Sequence, residues 1–357
     1  MFLKKAVNKY RYKVYTVMVT FGLAILFFSC NENTKDRAIE RSFYYWKSIF
    51  KLNDFEQQRL DSLKVKTIYI KFFDVDWNYA SNSAVPVAKL QNTGYQLPKS
   101  IKVIPTVFIT NECIKKIDSS QTQKLANDIY SLIQQVIAAN KFNAIAEIQI
   151  DCDWTALTKE KYFLLLKAIK KLCANTVIPV SATIRLHQIK FLSKTGVPPV
   201  DKGLLMCYNM GNLKNPATKN SILETEELKK YLGNLSDYPL PLDVALPLFN
   251  WKVLFRNNSY TGLIESLPDD IFTNAFTVKK ENRFELLKDT LLQGYDFKKG
   301  DILRSEQSDY SEILSAAGEI NKRLKNTQPR VSLYHLDSVI LNKYTLHELE
   351  TIYNSMR

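Results

Sequence analysis

Residues 146–155 constrain this chain more than any other stretch. They read AEIQIDCDWT, an apolar start that alternates and then ends in two carboxylates and an indole. A strand turns alternate side chains to opposite faces. Gln149, Asp151 and Asp153 therefore share one face, and Ile148, Ile150 and Cys152 the other. The apolar face suits a cover of helices, while the polar face needs a wet or ligand-filled interior. This is the design of a barrel strand whose C-terminal end opens into a site. The plainer alternative is a strand that ends in two solvated aspartates at a turn.

Similar stretches elsewhere favour the barrel. Residues 67–76, TIYIKFFDVD, put Asp74 and Asp76 on one parity, and Trp77 and Asn78 follow. Asp-x-Asp-Trp thus ends two strands. Residues 103–110 and 177–184 are apolar runs typical of buried strands, with Arg185, His187 and Gln188 just past the second. Residues 203–210, GLLMCYNM, place Met206 and Tyr208 on one parity, with Asn209 at the end. Residues 243–251 end in Asn250-Trp251, and 330–337, RVSLYHLD, form the last strand.

Between these runs the apolar period changes to that of helices. In 121–140, Leu125, Ile129, Leu132, Ile133, Val136 and Ile137 fall on one face. Helices are also expected over 157–173, 225–235, 284–293, 310–324 and 344–356. The aromatic cluster Phe43, Tyr44, Tyr45, Trp46 and Phe50 reads as part of an amphipathic helical segment, 39–63, packed on the barrel. A short strand near 85 lies in the long polar loop 78–100, with 272–278 as its substitute. Strands near 67, 85, 103, 146, 177, 203, 243 and 331, alternating with helices, predict an α/β fold. The expected architecture is a (β/α)8 TIM barrel, a single domain over 39–357 with an N-terminal helical segment.

Residues 1–29 read as a targeting segment. Lys4, Lys5, Lys9, Arg11 and Lys13 precede an apolar run, 14–28, too short for a comfortable bilayer span. FFSC at 27–30 resembles the lipobox of bacterial lipoproteins, with Phe27 departing from the usual leucine. Cys30 would then be lipidated and 30–38 would be a polar tether. A plain anchor helix or an ordinary signal peptide are the alternatives. The expected location is the cell envelope, at a membrane surface whose leaflet the sequence does not specify.

The net charge of +13 falls to +8 without the leader's five basic residues. No run of Lys and Arg interleaves with aromatics, so nucleic acid is not an expected partner. Cys113, Cys152, Cys173 and Cys207 fit no zinc spacing, nor do His187, His335 and His347. No metal or cofactor is expected, and the cysteines read as buried thiols.

The strand endings resemble those of chitinase-like (family 18) glycosidases. QIDCDWT is similar to their fourth-strand Asp-x-x-Asp-x-Asp-x-Glu, MCYN to their sixth-strand Met-x-Tyr-Asp, and ALPLFNW to their seventh-strand segment. The resemblance implies that Asp151 and Asp153 match the last two aspartates, which orient and charge the acid. Thr155 stands where that family's proton-donating Glu belongs, Ile148 where its first Asp belongs, and Asn209 replaces the aspartate after the tyrosine. A threonine does not donate a proton at neutral pH as a carboxylic acid does. Other barrel glycosidases use a pair of carboxylates, and the seventh strand here ends without one. From FYYWK through IKFFDVDW to YHLD, the chain also resembles a family of bacterial lipoproteins with a glycosidase-like barrel. That resemblance implies the barrel and the anchor but no particular activity.

Two functional expectations follow. The first is a membrane-anchored barrel that binds an oligo- or polysaccharide without hydrolysis. Trp77, Trp154, Tyr208 and Trp251 would stack on sugar rings, and Asp74, Asp76, Asp151, Asp153, Asn209 and Asn250 would meet hydroxyls. The second is an active glycoside hydrolase in which Asp151, Asp153 and Asp76 supply acid and partner. A surface-assembly lipoprotein is a third reading that no sequence feature favours.

Overall fold

The computed structural model describes residues 37–265 and 267–357. The leader and Cys30 lie outside them. The described chain is built on eight parallel strands: β1 (Glu40–Tyr45), β2 (Thr67–Asn78), β4 (Lys102–Ile109), β5 (Ile148–Asp151), β6 (Val180–Arg185), β7 (Lys202–Met206), β8 (Leu242–Pro247) and β16 (Arg330–Tyr334). Each pairs with its neighbours, and β1 pairs with both β2 and β16, which closes the ring. This is the expected TIM barrel.

The alternation read in 146–155 has its physical basis here. Gln149 is buried inside the ring and accepts the Tyr44 hydroxyl at 2.6 Å. Ile148, Ile150 and Cys152 are buried in the main core. Two amphipathic helices, Thr122–Asn140 and Lys159–Cys173, flank this strand in sequence and bury Leu125, Ile129 and Ile133, and Leu165, Leu166 and Ile169. The four cysteines among the described residues are buried and free.

Four expectations are corrected. The cluster Phe43-Tyr44-Tyr45 is not helical: it is β1, the first barrel strand, and the helix of that segment comes later, at Asp54–Ser62. Strand β3 (Ser83–Val87) is not a barrel strand. It folds back antiparallel on the overhanging end of β2, with Asp76 opposite Val85. The substitute at 272–278 is not one either, and 284–293 is not a helix.

Those last residues belong to an insertion between β8 and β16. Strands β9 (Asn250–Arg256), β10 (Ser259–Ile264), β11 (Thr277–Lys280), β12 (Arg283–Leu286) and β15 (Ile302–Gln307) form an antiparallel sheet in the order β10-β9-β15-β12-β11, and β13 (Thr290–Leu292) pairs with β14 (Tyr295–Phe297) apart from it. The insertion has its own small core around Leu254, Phe272, Phe284, Phe297 and Leu303.

The N-terminal floor of the barrel is charged. The Arg330 Nη1 lies 2.9 Å from Glu147 Oε2, and Lys202 Nζ lies 3.3 Å from the same oxygen. Lys202 also pairs with Asp243, whose other oxygen accepts the Arg330 backbone N–H at 2.9 Å. Glu147 and Asp243 are almost wholly buried. Burial lifts the Asp243 carboxyl above its ordinary range despite both cations. Buried charges persist where they are paired and hydrogen-bonded, and this floor meets both conditions. It seals the end of the barrel opposite the Asp-x-Asp strand ends.

Candidate functional site

Parallel strands gather their C-terminal ends on one face, and that face holds a cavity of about 620 Å³. Of the residues singled out in the sequence, Asp74, Asp151, Asp153, Tyr208, Asn209, Asn250 and Trp251 line it. They come from β2, β5, β7 and the start of β9.

Asp151 is 2% exposed and accepts the Thr183 hydroxyl at 2.6 Å. Burial pushes its carboxyl up to about 6, Arg185 opposes that rise, and Asp153 adds to it. The Arg185 guanidinium donates from Nε to Asp153 and brings Nη2 to 3.7 Å from Asp151. Asp74 accepts the Lys71 ammonium at 3.1 Å through Oδ2. Its Oδ1 is buried without a hydrogen-bond partner. The Tyr208 hydroxyl and His335 Nδ1 are buried and unpartnered as well, and both residues line the same cavity. Burial lowers the His335 imidazole to about 4, so it is neutral near pH 7. A buried polar group without a partner costs free energy, and three residues of this one wall each carry such an atom, closed off from solvent.

Aromatic rings form the other part of the wall. Tyr334 is their centre, with ring centroids 5.4 Å from Tyr208, 5.6 Å from Phe249 and 5.9 Å from Trp46. Trp251 packs 5.2 Å from Phe249 and donates its indole N–H to Glu306 at 2.7 Å. Asn250 accepts the Lys343 ammonium at 2.5 Å. Asn209, at φ 57°, takes the left-handed backbone that asparagine tolerates better than most residues. A second cavity of about 370 Å³ lies against the first and shares Asp153, Arg185, Tyr208 and Asn209 with it. His187 lines this second cavity.

Three candidates lie elsewhere. Trp154 is fully buried in the outer core, its ring 5.1 Å from Tyr162 and its N–H on the Thr195 carbonyl at 3.1 Å. Trp77 is buried in the main core and does not line the cavity. Asp76 is outside it too: its Oδ1 accepts the Thr110 hydroxyl and the Trp77 backbone N–H, each at 2.8 Å. Thr155, at the place of the resembled family's acid, is exposed and absent from the wall. Its backbone N–H is held by Thr158 Oγ1 at 2.9 Å.

Sequence reasoning missed Trp46, Phe249, Glu265 and Tyr334 in the wall. Trp46 and Tyr334 follow or end strands β1 and β16, adjacent in the closed ring. Once 39–45 is recognised as a strand, its end falls at Trp46.

No family model matches the sequence, and no curated protein does. Solved structures do match the fold. A chitinase from Chromobacterium violaceum is similar over 89% of this chain and 99% of its own, at 9% identity and a TM-score of 0.51. The Group IV chitinase of Ostrinia furnacalis matches 90% of this chain and 100% of its own, at 9% identity and a TM-score of 0.54. The spore cortex-lytic enzyme of Bacillus megaterium matches 89% of this chain and 74% of its own, at 13% identity and a TM-score of 0.54. At these identities the likeness is one of fold, a glycosidase-like TIM barrel.

Proposed function

We propose that this barrel binds a glycan in the cavity at the C-terminal ends of its strands and does not cleave it. The observation that carries the reading is the mouth itself: the polar side chains of Asp74, Asp153, Asn209 and Asn250 line it together with the rings of Trp46, Tyr334 and Trp251. Apolar ring faces with a few converging polar atoms are what a ligand cleft requires, and a sugar offers both a C–H face and hydroxyls. The fold shared with chitinases supports the class of ligand. Thr155, at the place of the resembled family's acid, lies outside the wall, so that family's proton donor has no counterpart in the cavity, which supports binding without turnover. The lipobox-like FFSC would hold the barrel at a membrane surface through Cys30.

One observation favours the alternative of an active hydrolase. Asp151 is buried beside Asp153 with its carboxyl raised to about 6, the condition of a proton donor near neutral pH. Asp76 does not line the cavity, which leaves Asp153 as the partner. Direct calorimetric titration with oligosaccharides, run beside a cleavage assay on aryl glycosides, separates the two. Binding without release of the aryl group is expected from wild type and from Thr155→Glu. Release by wild type that disappears in Asp151→Asn would replace the binding reading with the hydrolase.

A further inference from the structure

The mouth is acidic in a chain that is strongly basic. Its wall contains five carboxylates, on Asp74, Asp151, Asp153, Glu265 and Asp337, and one cationic side chain, Arg185. Arg185 is engaged by two of the five, Asp151 and Asp153. Lys71 pairs with Asp74, and Lys47 with Asp337 at 2.6 Å. Lys343, at the rim, reaches the amide oxygen of Asn250 and no carboxylate. Glu265 has no cationic partner among the described residues. Asp151, Glu265 and Asp74 act electrostatically on the Tyr334 hydroxyl and Arg185 opposes them, so carboxylates from β2, β5 and the insertion outnumber the one cation at that ring. The wall already accommodates one ammonium in this setting. Lys71 Nζ lies 5.6 Å from the Trp46 ring centroid while it is hydrogen-bonded to Asp74.

We infer that the glycan taken by this mouth carries a protonated amine, as a de-N-acetylated amino sugar does. The inference rests on the glycan-binding reading and narrows it. An ammonium near Tyr334 would lie over an aromatic face, where cations are attracted. It would bring a countercharge to Glu265, the wall carboxylate without a cationic partner among the described residues. A neutral acetamido group supplies one N–H and no charge. A uronic acid adds a carboxylate to a wall that already has five.

The test titrates the full chain in mildly acidic buffer with three tetramers: glucosamine, N-acetylglucosamine and galacturonic acid. The expected order is the amine first, by roughly tenfold over the acetylated sugar, the scale of one charge-assisted hydrogen bond. The preference should shrink as salt is raised. Glu265→Gln, at an exposed position where the fold is not at stake, should narrow the amine-to-acetyl ratio by several-fold, with an unchanged melting temperature as the folding control. Equal or tighter binding of the acetylated or the acidic tetramer overturns the inference and leaves the glycan reading standing. An amine preference that Glu265→Gln does not alter overturns the assignment of that carboxylate. No binding of any tetramer overturns both the inference and the reading beneath it.

Discussion

Arg185 at the end of β6 spans to Asp153 beyond β5, and its Nη2 stands 3.7 Å from Asp151 Oδ1. One guanidinium thus holds two carboxylates of different burial, Asp151 inside the mouth and Asp153 at its half-exposed edge. The pair also stands where the two cavities meet, since both Arg185 and Asp153 line each of them. Arg185→Ala should leave Asp151 buried beside Asp153 without a cation. We expect a loss of roughly 3 kcal/mol in denaturant unfolding, the scale for breaking a buried ion pair. The loss should be smaller in acid, where Asp151 is protonated; an equal loss at every pH would refute the electrostatic account.

Asp151 itself predicts a pH dependence of stability. Its folded carboxyl titrates near 6, above the unfolded value of 3.8, so the folded state holds the proton more tightly. The contribution is fully present below the unfolded value, and it is lost as pH rises through about 4 to 6. The loss is on the order of 3 kcal/mol at neutral pH. Asp151→Asn does not titrate. The difference in unfolding free energy between variant and wild type should shift in favour of the variant across that window and then level off. A flat difference would show that Asp151 ionises normally.

Tyr208 predicts effects of opposite sign on stability and binding. Its hydroxyl is buried without a partner in a ring otherwise packed between Phe249 and Tyr334. Tyr208→Phe removes an unsatisfied group and keeps the ring, so the melting temperature should rise or hold, while glycan affinity should fall by about 1 kcal/mol. A variant that is less stable and binds unchanged would show that the hydroxyl serves the fold instead.

The tryptophans divide in the same way. Trp154→Ala empties a fully buried site and should cost about 3–5 kcal/mol of stability. Trp251 lines the mouth, and Trp251→Phe keeps the face but loses the donor to Glu306. A folded protein with glycan affinity within a few-fold of wild type is expected, checked by circular dichroism and calorimetry. Trp154→Ala that folds normally but fails to bind would return Trp154 to the list of ligand contacts.

The anchor has a direct test. Cys30→Ser should release the protein from membranes or leave it unprocessed, because acyl chains supply about 0.8 kcal/mol per buried CH2. Unchanged fractionation and mobility would remove the lipoprotein proposal.

The sequence exposed the mouth through side chains that alternate. Gln149, Asp151 and Asp153 announce a polar interior face because a strand fixes their parity. The same parity sets Trp154 with Cys152 on the outer face and Trp77 with Val75, so both indoles were assigned to the mouth by proximity alone. Asp76 has the right parity, but β2 overhangs the ring there and pairs with β3. Strand β1 stayed hidden because Phe43, Tyr44 and Tyr45 are buried on both faces, and a continuous apolar run carries no period that separates strand from helix. Trp46 was lost with it. Glu265 comes from an insertion whose short strands left the sequence without a readable alternation.

The floor of the barrel bears on how the chain is made. Glu147, Lys202 and Asp243 are synthesised well before Arg330, the residue that opens the last strand and brings its guanidinium to Glu147 and its backbone N–H to Asp243. Until that strand arrives, two buried-in-waiting carboxylates share a single lysine. Without that strand the ring stays open between β1 and β8, and burying both carboxylates against one cation would be costly.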